Sequence, residues 1–184
     1  MGYVARLNLI LEKATYGTYR TFFGGKATQY GTRFEPVSND IYCYRNNTRI
    51  HEFGLIPHKT IPFLGASTDG VSDELKNIEI KSPFSRVPNG KVKKEYMHQM
   101  QSQMECLGLN VTDFIEVKYE EYGKLSEMLK RIEDDPEYGC MIEVHNTTID
   151  QLEYIYSPIE LCEDSNQLTS WIDNQHTQLA KSKN

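Results

Sequence analysis

Between residues 62 and 119 the hydrophobic period switches from two to 3.6 and back to two, and this switch constrains the fold more than any other feature of the chain. Residues 62–71 and 76–82 alternate as strands, bounded by turn-forming Pro, Gly, Asn and Asp. In residues 91–108, Val92, Tyr96, Met100, Met104 and Leu107 recur at helical spacing and the run stops at Gly108, the pattern of an amphipathic helix with a C-terminal glycine. Residues 114–119 return to a strand. A helical crossover of this length lets the last strand lie parallel to an earlier one, which short turns cannot do. The expectation is therefore an α/β (α+β) fold with a mixed central β-sheet flanked by helices.

The remaining elements extend that frame. Residues 4–13 read as a helix ended near Gly17, and Thr32 can cap a second helix that carries Phe34, Ile41 and Tyr42. That reading sets Glu35 in the first turn and tolerates Pro36 only because it lies near the start. Residues 50–57 read as a strand, 125–133 as a helix, 140–145 and 152–156 as a hairpin, and 167–180 as a closing helix. With 184 residues and no repeat or linker, the chain is expected to form one domain over 1–184, with its core at about 31–157.

The formal charge of −6 argues against a sequence-independent nucleic-acid coat, but the acidity is local. Residues 1–115 carry 14 Lys or Arg against 11 Asp or Glu, whereas residues 116–164 carry 4 against 14. A polyanion would meet the first part on better terms, although such runs also arise as solvated faces. Cys43, Cys106, Cys140 and Cys162 lack C-x-x-C spacing, and the five histidines show no ligand-spaced pair, so neither a zinc nor an iron–sulfur site is indicated. The 12 tyrosines are explained by strands and core edges. No apolar run could cross a membrane and the start lacks a secretory pattern, so an intracellular, reduced protein is expected, neither secreted nor membrane-bound.

One constellation carries chemistry. In Phe63-Leu64-Gly65-Ala66-Ser67-Thr68-Asp69-Gly70 an apolar strand meets a tight turn, which sets Asp69 at a strand end. Ten residues later, Ile78-Glu79-Ile80-Lys81 alternates, so Glu79 and Lys81 share one face while Ile78 and Ile80 face a core. Asp69 and Glu79 can then share one hard cation, which would neutralise a phosphate and lower the pKa of an attacking water, with Lys81 orienting that water. Taken singly, Asp69 reads as a turn residue and Glu79 with Lys81 as a surface ion pair. Together they point to metal-assisted phosphodiester hydrolysis.

The set Gly65-x-Ser67-x-Asp69-Gly70, Glu79-Ile80-Lys81-Ser82-Pro83-Phe84 and Tyr96-Met97-His98-Gln99-Met100-Gln101-Ser102-Gln103-Met104 resembles the lambda exonuclease (YqaJ-like viral recombinase) branch of the PD-(D/E)XK nucleases. The resemblance covers about residues 31–157 and implies a restriction-endonuclease-like core. It implies that Asp69, Glu79 and the Ile80 carbonyl hold Mg²⁺ or Mn²⁺, that Lys81 activates the water, and that Glu35 is the upstream acid beside the metal. Read alone, Glu35 is more simply a helix N-terminal acid favoured by the macrodipole. Gln99 matches the family's active-site glutamine; Gln101 and Gln103 read as well as ordinary polar helix positions, with Gln101 ranked below Gln99.

Ser67 and Arg86 align with contributors to a 5′-phosphate pocket, and Lys91, Lys93 and Lys94 extend a basic stretch along the expected DNA path. The arginine and small polar residue that complete that pocket in the family have no counterpart in residues 1–30, so the chain reads as a minimal or truncated member. By resemblance, the expected activity is 5′ to 3′ exonuclease action on double-stranded DNA with a free end. The setting would be viral recombination or repair, in the cytoplasm or nucleus of an infected host cell. The resemblance also implies a ring of three subunits and a single-strand annealing partner. An endonuclease using the same site, and an inactive DNA-binding or assembly module, are the alternatives.

Overall fold

A computed structural model of the chain describes residues 25–131, 137–146 and 151–181, so the helix expected at 4–13 lies outside the described residues. The elements run α1 (Lys26–Asn46), β1 (Ile50–His51), β2 (Ile56–Pro57), β3 (Gly65–Ala66), β4 (Gly70–Ser72), β5 (Asn77–Lys81), α2 (Lys94–Leu107) and β6 (Thr112–Glu116). They continue with α3 (Leu125–Leu129), β7 (Met141–Asn146), β8 (Gln151–Tyr156), a 3₁₀ turn (Ile159–Glu163) and α4 (Ser165–Lys181). A four-stranded sheet has the order β1-β4-β5-β6. Its first two pairings are antiparallel and the β5–β6 pairing is parallel, with α2 as the crossover, as the change of period predicts. β2–β3 and β7–β8 form separate antiparallel hairpins.

Alternation along β5 sorts its side chains onto two covered faces. On one face Ile78 and Ile80, 0% and 5% exposed, pack with Tyr42 of α1, and Ile50 and Ile115 join them. Burying each isoleucine contributes roughly 1.5–3 kcal/mol, so this face anchors the strand. The opposite face carries Asn77 and Glu79, also fully buried, under α2. A second apolar cluster joins Met128 of α3 to Leu168 and Ile172 of α4. No described helix is long and apolar enough to cross a membrane.

Several expected boundaries need correction. α1 begins at Lys26, with the Thr28 and Gln29 amides closing on the Gly25 carbonyl, so Thr32 does not cap it. Pro36 lies in the helix interior, where it costs the hydrogen bond to the Thr32 carbonyl that an ordinary residue would make. The strand expected over 50–57 divides into β1 and β2, which join different sheets, because Glu52 to Leu55 are exposed and pair with neither. The strand expected over 62–71 likewise divides into β3 and β4 around Ser67, Thr68 and Asp69. α2 begins at Lys94, three residues later than expected, and ends at Gly108, whose φ of 71° is the left-handed cap that favours glycine.

Candidate active site

The antiparallel register pairs Gly70 with Ile78, so Asp69 is the next residue along, opposite Glu79. Gly70 permits the close approach of β1: a Cβ there would lie 2.2 Å from Ile50 Cγ2 and 3.0 Å from the His51 carbonyl. Rather than continuing the ladder, Asp69 turns its carboxylate inward, and Oδ2 accepts a hydrogen bond from the Ile80 amide at 2.6 Å. This bond ties the end of β4 to the middle of β5.

Glu79 has a relative exposure of 0%. Its Oε2 accepts a hydrogen bond from Gln103 Nε2 at 2.6 Å, while Oε1 forms an ion pair with Lys81 Nζ that lacks hydrogen-bond geometry. The Lys81 ammonium also stands 5.4 Å from the centroid of the Tyr96 ring, so it lies between a carboxylate and an aromatic face. Lys81, Asp69, Ile80, Glu35 and Tyr96 line an open cleft of about 400 Å³ between α1 and the ends of the strands.

Glu35 lies in the third turn of α1, which removes the helix N-terminus as an explanation for it. Its carboxyl is held above the ordinary value, first by partial burial, then by repulsion from Asp69, Glu52 and Glu79, with Lys81 opposing. Three expected acids thus share one electrostatic neighbourhood. Among the described residues, however, no three His, Cys, Asp or Glu side chains are gathered into a preformed metal cluster. Asp69 is engaged by Ile80, and Glu79 by Gln103 and Lys81. The donor chemistry nonetheless suits a hard divalent cation: carboxylate oxygens dominate, and Glu79 Oε1 is buried without a hydrogen bond.

The other expected residues fall into distinct places. Gln99 and Gln101 occupy exposed positions of α2, whereas Gln103, one turn beyond Gln99 on the helix, is 1% exposed and reaches Glu79. Lys91, Lys93 and Lys94 are exposed at the start of α2, and Lys93 Nζ lies 5.7 Å from the Tyr96 ring centroid. Positive charge there opposes the helix dipole, so these lysines are not explained by helix stability. Ser67 is exposed, and its carbonyl accepts a hydrogen bond from Gln103 at 2.8 Å. Arg86 is ion-paired with Glu116, whose side chain is 7% exposed. Lys118 Nζ donates to the carbonyls of Pro83, at 3.1 Å, and Phe84, which holds the segment after Lys81 against the end of β6.

A mixed sheet between helices, with an acid at the end of β4 and Glu-x-Lys on β5, defines a PD-(D/E)XK-like exonuclease fold. The structure is similar to that of an alkaline exonuclease (LHK-Exo) from Laribacter hongkongensis, with a TM-score of 0.56 and 27% identity over 98% of this chain and 82% of that one. The same enzyme in complex with dAMP gives a TM-score of 0.56 and 28% identity, over 97% of this chain and 85% of that one. The model of the YqaJ-like viral recombinase domain matches residues 3–113, and the chain belongs to that family. It is also 26% identical to the uncharacterized protein R354 of Acanthamoeba polyphaga mimivirus, over 91% of this chain. It spans 37% of the length of that viral relative.

Proposed function

We propose that this chain is a Mg²⁺-dependent deoxyribonuclease, with Mn²⁺ able to substitute, that hydrolyses double-stranded DNA from a free end in the 5′ to 3′ direction during viral DNA recombination or repair. The observation that carries the proposal is the meeting of Asp69, Glu79 and Lys81 at the ends of two neighbouring strands, with Glu35 beside them. The likeness to LHK-Exo, described as an alkaline exonuclease, supports attack at an end.

In this reading Asp69, Glu79, the Ile80 carbonyl and Glu35 hold the ion, which when bound neutralises the scissile phosphate and lowers the pKa of a water. Lys81 orients that water for in-line attack on phosphorus and stabilises the negative charge gathering on the phosphoryl oxygens. As it attacks, the water releases a proton to solvent, the bond to the leaving oxygen breaks, and that oxygen takes up a proton from solvent. Gln99 is assigned a hydrogen bond to the attacking water or the phosphate, and Gln101 a secondary role beside it. Lys91, Lys93 and Lys94 contact the DNA backbone, while Ser67 and Arg86 receive a terminal 5′-phosphate, Arg86 by exchanging Glu116 for it. A ring of three subunits and a single-strand annealing partner complete the proposed assembly.

Incubation with linear and covalently closed duplex DNA, with and without Mg²⁺, tests this directly. Linear DNA is expected to yield mononucleotides and a residual single strand only when metal is present, and the closed circle should survive. Glu79→Ala and Lys81→Ala are expected to reduce the rate by at least about a hundredfold while circular dichroism remains native. Nicking of the circle would replace the exonuclease assignment with an endonuclease, and full activity in both variants would remove the nuclease assignment altogether.

A further inference from the structure

A chain of buried amides and hydroxyls runs from the turn before Asp69 to the carboxylate of Glu79. Thr68 Oγ1 donates to Asn77 Oδ1 at 2.6 Å and accepts from the Gly70 amide at 3.1 Å. Asn77 Nδ2 donates to Thr112 Oγ1 and to Gln103 Oε1, both at 3.0 Å. Gln103 Nε2 then donates to the Ser67 carbonyl at 2.8 Å and to Glu79 Oε2 at 2.6 Å. Asn77 and Gln103 are 0% and 1% exposed, so water does not compete for these bonds.

The chain has a direction. Because Asn77 offers a donor to Gln103 Oε1, the glutamine must present its NH₂ group to Glu79 and to Ser67. The opposite amide orientation would set two acceptors against each other at Glu79 and two donors against each other at Asn77. Gln103 is therefore held in one orientation before any ligand arrives. It takes up one oxygen of Glu79 and leaves the other, Oε1, to pair with Lys81. It also spans the two strands that carry the acids, since Ser67 lies two residues before Asp69.

We infer that Gln103 is a positioning residue for the metal site, fixing Glu79 as a one-oxygen ligand and setting the separation between the Asp69 turn and β5. The inference rests on the metal-dependent reading of the site and adds a residue to it. Groups that orient a metal ligand typically alter metal affinity or activity by about ten- to a hundredfold when removed. Gln103→Glu keeps the size and the acceptor for Asn77 but withdraws both donors. Gln103→Met keeps the volume and withdraws all polar capacity.

Calorimetric titration of the folded, metal-free proteins with Mn²⁺ alone tests the inference, with Glu79→Ala as the reference. Both Gln103 variants are expected to bind Mn²⁺ about tenfold or more weakly. In nuclease assays, their lost rate is expected to recover partly at high Mn²⁺, with KM for DNA unchanged. Wild-type Mn²⁺ affinity in either folded variant would overturn the inference, provided Glu79→Ala loses binding. If Glu79→Ala itself binds Mn²⁺ normally, the metal-site reading falls instead. Failure of both Gln103 variants to fold would make the residue a structural core element and would also overturn the inference.

Discussion

Glu35 shows how much the electrostatics of one residue can reveal. Burial and three neighbouring carboxylates raise its pKa, so its charged form is disfavoured in the folded chain. A carboxyl raised in this way costs stability above its folded pKa, and the cost disappears below its ordinary value of about 4.5, where it is protonated in both states. Glu35→Gln is therefore expected to raise the melting temperature of the metal-free protein at neutral pH, with the difference vanishing as pH falls below that value. The same change should shrink the stabilisation produced by Mn²⁺, because binding to the native state alone stabilises it in proportion to affinity. Thermal melts across pH with and without Mn²⁺ measure both effects. An equal Mn²⁺ increment in the two proteins would separate Glu35 from the metal.

Among the elements, the hairpin joining β4 to β5 contains the clearest local strain. Leu75 has φ of 60° and is 69% exposed, in a tight connection closed by the Leu75 amide on the Ser72 carbonyl at 2.9 Å. Glycine is the usual occupant of such a left-handed position, where an L side chain costs roughly 1–2 kcal/mol. Leu75→Gly is expected to stabilise the chain by about 0.5–1 kcal/mol after glycine's greater unfolded entropy is counted, measured by denaturant unfolding.

How far each element was legible in the sequence depended on the kind of signal it carried. Periodicity and Gly108 advertised α2 within residues 91–108, and strict alternation advertised β5 within residues 76–82. The cap of α4 went unread: the helix was expected from residue 167 but begins at Ser165. There Asp164 Oδ1 accepts the amides of Asn166 and Gln167 at 3.0 Å each, and the capping-box spacing of Asp164 and Gln167 was the signal for it. Thr32 was read as a cap with Pro36 near the helix start, although α1 begins at Lys26 and runs through both. Within the site, the acids and lysine were readable as a motif. Gln103 was not singled out, because a polar residue on an amphipathic helix declares its burial only once its partners Asn77 and Glu79 are in place. Its spacing of three from Met100 and seven from Tyr96, both on the apolar stripe, put it near the inward face and was the available signal. The pairing of Arg86 with Glu116, thirty residues away, was not legible.

At the scale of the molecule, two apolar clusters divide the work. Tyr42, Ile78 and Ile80 support β5, whereas Met128, Leu168 and Ile172 join α3 and α4. Leu168 is fully buried, so Leu168→Ala is expected to cost about 2–5 kcal/mol of stability. It should leave the turnover of the folded fraction unchanged, because the cluster holds none of the site residues. A matched loss of specific activity under conditions where the variant is fully folded would show that the clusters are coupled.

The parallel pairing of β5 with β6 matches Asn77 with Thr112 and Lys81 with Glu116. Each partner is thirty-five positions further along the chain, so the ladder cannot zip outward from a turn. A long loop must close first, at an entropic cost that only the completed ladder repays. The β4–β5 hairpin needs no such excursion. Asp69 and Glu79 can therefore be brought face to face by local chemistry, while the strand that carries Glu79 gains its other neighbour only when distant chain returns.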